Sequence, residues 1–406
     1  MPLIRFLNTY EPVTEFYRGL APALARAGLR SHVVISGADY RGGRSSLVEA
    51  LAPAGGVTHV PAGVRIADTR LKKLVVLMTY SFGAVLLSLF GRPPALNFFL
   101  SQPPLFAAWG RVLRTLRGTP YCCLVMDLYP HVLAASNVMR EISWGYRLLR
   151  RLMIGTLAAA DTVFVIGRCM RDRLIQEGVP ADRIVVTPNW ANEEVIRPVP
   201  RADNALARSF GIGDEFVVLY SGNMGIAHEF GTVLAAAERL LGERDIRFLF
   251  LGEGARRPEV EREVARKGLT NVTVGPLQPA ASMSESQSLG DVHFVSMKAA
   301  FTGLLVPSKA YSALAAGRPL LYEGAADGEV ARLIAEHGLG HVVSPGDVEA
   351  MVTAIRAMAA DRSSTERAGA HARALGVGAL GQAAAVERYV QALTALLRAP
   401  APGPAA

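Results

Sequence analysis

The sequence predicts an α/β protein built from two open parallel sheets wound with helices, on three observations. A chain of 406 residues exceeds what one ordinary hydrophobic core accommodates, so two domains are the default. Short apolar runs alternate with helical patterns in two successive series, the mark of βαβ units. Between the series lies a polar stretch, Asn192–Asp203 with Pro198 and Pro200, whose composition reads as a linker.

The first series gives strands at Leu3–Leu7, His32–Ile35, Thr58–Val60, Ala95–Leu100, Cys122–Met126, Thr162–Ile166 and Ile184–Thr187. Most are apolar throughout, as strands covered on both faces are. Helices are expected at Glu15–Ala27, Ala108–Arg117, Ser143–Ala160 and Met170–Glu177. The uncharged segment Leu74–Phe90 follows Lys72 and Lys73 and precedes Gly91-Arg92-Pro93-Pro94. At about 17 residues it lies at the lower edge of what crosses a bilayer, which leaves a core helix, a membrane-surface helix and a span open.

The second series gives strands at Phe216–Tyr220, Arg247–Leu251, Val272–Val274, Val292–Val295, Leu320–Tyr322 and His341–Val343. Helices fall at Gly231–Leu241, Pro258–Lys267, Ser308–Ala316, Asp327–His337 and Val348–Ala359. A last helix, Ala383–Arg398, exceeds what the second sheet needs, and the tail APAPGPAA is expected to be disordered.

Half the residues are apolar and the mean hydropathy is +0.25, which excludes a generally disordered chain. A formal charge of +8 suits an acidic partner: phosphorylated substrate, anionic lipid or nucleic acid. The basic clusters Arg70, Lys72, Lys73 and Arg147, Arg150, Arg151 lack the interleaved aromatics of a single-strand binder, so nucleic acid is not expected. Cys122, Cys123 and Cys169 make neither a CxxC pair nor a ligand spacing, and read as small core hydrophobes in a reducing compartment. The chain opens on a strand rather than a basic, then apolar, leader, which makes cytoplasmic the default.

Chemistry-bearing residues gather where strands end. In Gly303–Leu321 a loop leads to a helix start at Pro307-Ser308-Lys309, where Ser308 can cap, unpaired amides attract an anion and Lys309 stands beside them. The loop holding Gly222, Asn223, Gly225 and His228 follows a strand, a shape in which amides approach a diphosphate; Gly252 and Gly254 repeat it one unit later. In the first series Asp127 and His131 follow an apolar strand and would project into a cleft between the sheets, to orient an acceptor hydroxyl or hold a sugar; Asp127 also reads as an ordinary helix cap. Glu11 and Glu15, with Thr14, occupy the same position after the first strand. No Asp-x-Asp, His-rich spacing, Gly-x-Ser-x-Gly or GxxxxGK[ST] occurs, so no metal, cofactor, hydrolase elbow or nucleoside-triphosphatase loop is implied.

With these pieces in order, the chain resembles the family 4 retaining glycosyltransferases of the GT-B fold, and within them the bacterial surface-polysaccharide and O-antigen branch. The resemblance rests on Met126–Pro130, Val186–Trp190, Tyr220–Gly225, Phe250–Gly254, Val306–Tyr311 and Ala315–Pro319. It implies two Rossmann-like domains with an interdomain cleft: residues 1–195 for the acceptor, residues 196–378 for a nucleotide sugar, a helix over 379–398 crossing back to the first domain, and a tail over 399–406. It further implies that Gly222 and Ser308 meet the donor diphosphate, that backbone at Pro276-Leu277 meets the base, and that Asp127 and His131 are catalytic. Glu11, Thr14 and Glu15 are then the acceptor-side residues. The implied reaction is metal-independent transfer of a hexose or N-acetylhexosamine, from a nucleoside-diphosphate sugar to a lipid-linked acceptor at an anionic membrane surface, on the inner face. A soluble small-molecule acceptor, a catalytically silent sugar-nucleotide binder and a related epimerase are the alternatives.

The chain departs from the family pattern at two places. Leu304 and Ser312 stand where many relatives carry two glutamates, the second for the ribose. Asn223 and His228 stand where many carry an Arg and a Lys, which leaves Lys309 and Arg318 as basic candidates for the diphosphate.

Overall fold

The computed structural model describes residues 1–7, 14–36, 55–60, 70–100 and 105–398. They form two compact units, Met1–Pro188 with the terminal segment from Ala385, and Asn189–Ala384. Glu11 and the tail over 399–406 lie outside the described residues.

The first unit is a seven-stranded parallel sheet of β1 (Leu3–Leu7), β2 (Arg30–Ser36), β3 (Gly55–Val60), β4 (Leu96–Leu100), β5 (Tyr121–Val125), β6 (Thr162–Val165) and β7 (Ile184–Val186), in the order β3-β2-β1-β4-β5-β6-β7. Adjacent phenylalanines of β4 point to opposite faces, as period-2 alternation requires. Phe98 stacks on Phe164 at 5.4 Å, and Tyr389 of the terminal helix Gln382–Arg398 covers both Phe164, at 4.8 Å, and Phe16 of helix Thr14–Arg26, at 5.3 Å. Phe99 meets Phe106 and Tyr121 on the other side. Right-handed crossovers put helices Arg70–Phe90, Ala108–Arg117 and Trp144–Ala159 on that second side.

The Leu74–Phe90 segment lies in one helix, Arg70–Phe90. Its inner face buries Val76, Tyr80 and Ala84, and the Tyr80 hydroxyl donates to the Val34 carbonyl at 3.0 Å. Its outer face leaves Met78, Phe82 and Phe90 exposed. No helix among the described residues is long and apolar enough to cross a membrane.

The second unit is a six-stranded parallel sheet of β8 (Phe216–Ser221), β9 (Ile246–Leu251), β10 (Val272–Gly275), β11 (Val292–Ser296), β12 (Leu320–Glu323) and β13 (Gly340–Val343), in the order β10-β9-β8-β11-β12-β13. The order reverses between β8 and β11, and a ligand crevice opens at the carboxyl ends of such a switch point.

Two expectations need correction. The proline-bearing stretch expected as a linker belongs to the second unit: the amides of Arg197 and Val199 donate to the hydroxyls of Ser284 and Ser288, both at 3.0 Å, and Arg373 donates to the Ile196 carbonyl at 2.9 Å. Apart from the short 3-10 turn Arg201–Asp203 it is neither helix nor strand, and side chains satisfy the amides of Arg197 and Val199 instead. A helix at Arg362–Val377 was not anticipated, because its many Ser, Gly and Ala residues and its charges give no strong apolar stripe. Those small residues let it lie flush on helix Lys309–Ala315. A Cβ on Gly376 would sit 2.9 Å from the Leu314 carbonyl carbon, and one on Gly369 2.5 Å from the Gly317 oxygen.

Tyr389 is almost fully buried among three aromatic rings. Tyr389→Ala is expected to cost about 3–5 kcal/mol, read as a lowered urea midpoint of the first unit's unfolding transition.

Candidate functional site

The site that the structure assembles lies at the β8/β11 switch point. After β8 the chain turns at Gly222, whose φ of 132° belongs to the region open to glycine. A Cβ there would lie 2.8 Å from Cε of Lys309, so the missing side chain is what lets the lysine pass. The loop after β9 locks against this turn. A Cβ on Gly252 would fall 2.0 Å from the Gly222 oxygen, and one on Gly254, at φ 134°, 2.4 Å from Asn223 Oδ1. The Met224 amide donates to the Glu253 carbonyl at 2.6 Å, and the Arg256 amide to the Met224 carbonyl at 2.9 Å. The Tyr220 hydroxyl donates to the Asn223 carbonyl at 2.7 Å. The glycines expected for close ligand approach thus serve, in the described structure, the close approach of two loops to one another and to Lys309. Gly225 closes the turn into His228, its carbonyl accepting from the His228 amide at 3.1 Å.

His228 is buried and ties the switch point together. Its Nδ1 donates to the Ser296 carbonyl at the end of β11, at 2.6 Å, which leaves Nε2 to accept from Lys309 Nζ at 2.9 Å. Burial, and then the lysine charge, push its pKa down to about 4, so the ring is neutral near pH 7. Lys309 Nζ also lies 5.1 Å from the centre of the Tyr220 ring. Burial lowers the Lys309 pKa to about 8. Among the described residues no carboxylate pairs with this ammonium. The charge is fixed in place by an imidazole and a ring face without being cancelled.

The other expected donor residues separate. Pro307 is buried and Ser308 exposed, and Ser308 accepts no capping bond: its own backbone is helical, so its hydroxyl is not placed over the following amides. Gly303 turns the preceding loop at φ 74°. Ser312 is half-buried on helix Lys309–Ala315, Leu304 is buried, and Leu277 is exposed after β10. Arg318 lies at the wrong end, before β12 begins, where it donates to the Ser288 carbonyl at 2.9 Å. It is therefore no partner for Lys309.

In the first unit Asp127 lines an apolar pocket with Leu100, Leu105, Leu128 and Met153, and burial raises its pKa. His131, expected to project into a cleft, packs inward in the first unit. It is buried, its Nε2 is 3.2 Å from Glu177 Oε1, and its ring meets Tyr146 edge-on. Glu177 is in turn clamped by Arg150 and Arg173. Burial lowers the His131 pKa against the pull of Glu177. Thr14 and Glu15 open helix Thr14–Arg26.

Sequence reading missed two contributors. Tyr220 is hidden inside the apolar run of β8. Glu323 ends β12 in register with Ser296, fully buried, its Oε1 accepting from the Thr232 hydroxyl at 2.5 Å. A glutamate closing the apolar run Leu-Leu-Tyr was the available signal.

Comparisons with known proteins bear on the family and the fold. A glycosyl transferase 4-like domain matches residues 13–190, and a glycosyl transferases group 1 domain matches residues 215–361. The probable glycosyltransferase WbjE of Pseudomonas aeruginosa is 31% identical over 256 residues, 63% of this chain and 64% of that one. The putative colanic acid biosynthesis glycosyl transferase WcaI of Escherichia coli K12 is 32% identical over 260 residues, 63% of this chain and 64% of that one. The chain thus matches somewhat under two thirds of the length of either relative. Among solved structures, HepE of Anabaena in complex with UDP-glucose gives a TM-score of 0.72 at 14% identity, covering 97% of this chain and 100% of that one. Sucrose-phosphate synthase of Thermosynechococcus elongatus gives 0.77 at 18% identity, covering 98% and 99%. These likenesses are of fold: two parallel α/β sheets with a terminal helix, the GT-B architecture. The chain belongs to the family 4 glycosyltransferases.

Glu323 generates a pH prediction. Burial, helped by the charge of Glu229, pushes its carboxyl up to about 7, while the Thr232 bond opposes the shift. A raised carboxyl pKa means that the folded state binds the extra proton. Its contribution to stability is full below the usual value of 4.5 and is lost as pH rises through about 7. Glu323→Gln is expected to flatten the stability profile across that window. Urea midpoints that fall as steeply in the variant as in the wild type would show that Glu323 is not the titrating group.

Proposed function

We propose that the chain is a metal-independent retaining glycosyltransferase that moves a hexose or N-acetylhexosamine from a nucleoside-diphosphate sugar to a lipid-linked acceptor in polysaccharide assembly, working peripherally on the inner face of the cell membrane. The carrying observation is Lys309: a desolvated ammonium without a carboxylate partner among the described residues, fixed at the switch point by His228. Such a charge needs an anion, and a diphosphate supplies one. The likeness to the glycosyltransferases WbjE and WcaI, and the UDP-glucose bound by HepE, support the class of reaction and a uridine donor.

In this reading the diphosphate meets Lys309, Ser308, Pro307 and the turn of Gly222, Asn223, Gly225 and His228. Gly252, Gly254 and Gly303 shape the approach, the base meets backbone at Leu277, and Ser312 takes the ribose side. The acceptor hydroxyl attacks the anomeric carbon on the face that the phosphate leaves; the bond to the phosphate oxygen breaks and that oxygen takes the acceptor proton. Lys309 stabilises the charge growing on the leaving diphosphate. Asp127 and His131 orient the sugar and the acceptor from the first unit, with Glu11, Thr14 and Glu15 on the acceptor side. The presence of Leu304 and Ser312 in place of glutamates favours a second reading, a sugar-nucleotide binder without turnover.

A thermal-shift panel of nucleoside-diphosphate sugars is expected to single out UDP sugars. Lys309→Ala is expected to weaken UDP binding about 10- to 100-fold, as loss of a desolvated charge partner does. Because the free ammonium loses its proton near pH 8 and the bound diphosphate favours keeping it, wild-type affinity should fall as pH rises above about 8, and Lys309→Arg should remove that fall. His228 is already neutral there and adds no slope. Donor turnover unchanged in both Lys309→Ala and Asn223→Ala would reject the site, and donor binding without transfer over a broad acceptor panel would favour the second reading.

A further inference from the structure

We propose that helices Arg70–Phe90, Ala108–Arg117 and Trp144–Ala159 of the first unit together form a docking surface for an anionic lipid bilayer, a proposal that rests on the lipid-linked acceptor reading above. The three lie side by side on one face of the sheet. None contains an Asp or Glu, and between them they carry nine Lys or Arg. Helices on the outside of an α/β sheet ordinarily show water a mixture of both charges. These show large apolar side chains instead: Met78, Phe82 and Phe90 on the first, Leu116 on the second, Trp144 and Leu148 on the third, with Phe82 68% and Trp144 80% exposed.

The charges are arranged for the same partner. Trp144 and Leu148 recur at i and i+4 of the third helix, and Arg147 and Arg151 flank them at i+3 and i+7, so an apolar ridge is edged by guanidinium groups. Arg114 is spent on Asp161, Arg150 on Glu177 and Arg117 on the carbonyls of Leu89 and Gly91. Arg111 and Arg151 have no carboxylate partner among the described residues. An apolar ridge that enters the acyl boundary, with arginines at the level of the phosphates, is how an interfacial helix binds anionic lipid. A second copy of the chain fits poorly, because a two-fold contact would set one acid-free, arginine-bearing face against another.

The test is co-sedimentation of the full chain with vesicles of phosphatidylcholine alone and of phosphatidylcholine with about 30% phosphatidylglycerol, at low salt and at about 0.5 M salt. Binding to the anionic vesicles at low salt should exceed binding to the neutral ones at least about tenfold and should fall with salt. The set Phe82→Ser, Phe90→Ser, Trp144→Ser and the set Arg111→Gln, Arg151→Gln should each lower it about tenfold, with the UDP-induced thermal shift intact as proof of folding. Equal binding to both vesicles, variants that bind like the wild type, or a dimer in sedimentation velocity that the Phe82 set dissolves would overturn the proposal. Vesicle binding as expected together with no response to any nucleotide sugar would uphold the docking surface and count against the transferase reading alone.

Discussion

A lysine positioned by a neutral imidazole is the constraint on which the second unit turns. A carboxylate would fix Lys309 equally well, but it would also neutralise it. His228 accepts from the ammonium through Nε2 while its Nδ1–H donates to the Ser296 carbonyl, so geometry is supplied and the positive charge is left for something else. Burial keeps the imidazole neutral and makes the arrangement self-consistent: a protonated ring has no lone pair to offer and would repel the lysine.

The surrounding structure follows from the need to bring that lysine to the switch point. Gly222 makes room for its stem, and the loops after β8 and β9 interlock through Gly252 and Gly254, so the turn has little freedom to move. From the other side, Arg373 donates to the Ala315 carbonyl at the end of the lysine's helix and to the Ile196 carbonyl of the proline-bearing strap. The strap, the helix and the strand ends are thereby one hydrogen-bonded body within the unit.

Much of this was legible in the chain because most buried parallel strands announce themselves as unbroken apolar runs, and the thirteen strands among the described residues all overlap positions expected as strands, edge strands such as Gly55–Val60 being less apolar. His228 and the glycine turns stood out because they follow such runs, and Lys309 because it opens a helix after Pro307 and Ser308. What escaped notice did so for physical reasons. Helix Arg362–Val377 packs through missing side chains, which leave no apolar period to detect. Tyr220 acts through its ring face and hydroxyl while its sequence position looks like one more core residue. The Ser308 cap was expected from residue type alone, yet capping depends on φ and ψ that residue type does not determine. His131 was expected to face a cleft because it follows an apolar strand; its partner Glu177 lies 46 residues on, beyond any local pattern.

Helix Arg362–Val377 comes against main chain at two glycines, Gly376 beside Leu314 and Ala315 of helix Lys309–Ala315 and Gly369 beside Gly317 just past its end. Side-chain contacts have rotamers, and a neighbouring methyl group can be absorbed by a change of χ; a peptide plane offers no such play. A Cβ at Gly376 would meet the backbone of Leu314 and Ala315 at 2.9–3.0 Å, closer than packed atoms stand. The interface therefore has no slack for a methyl group: an alanine at Gly376 has to move one helix away from the other.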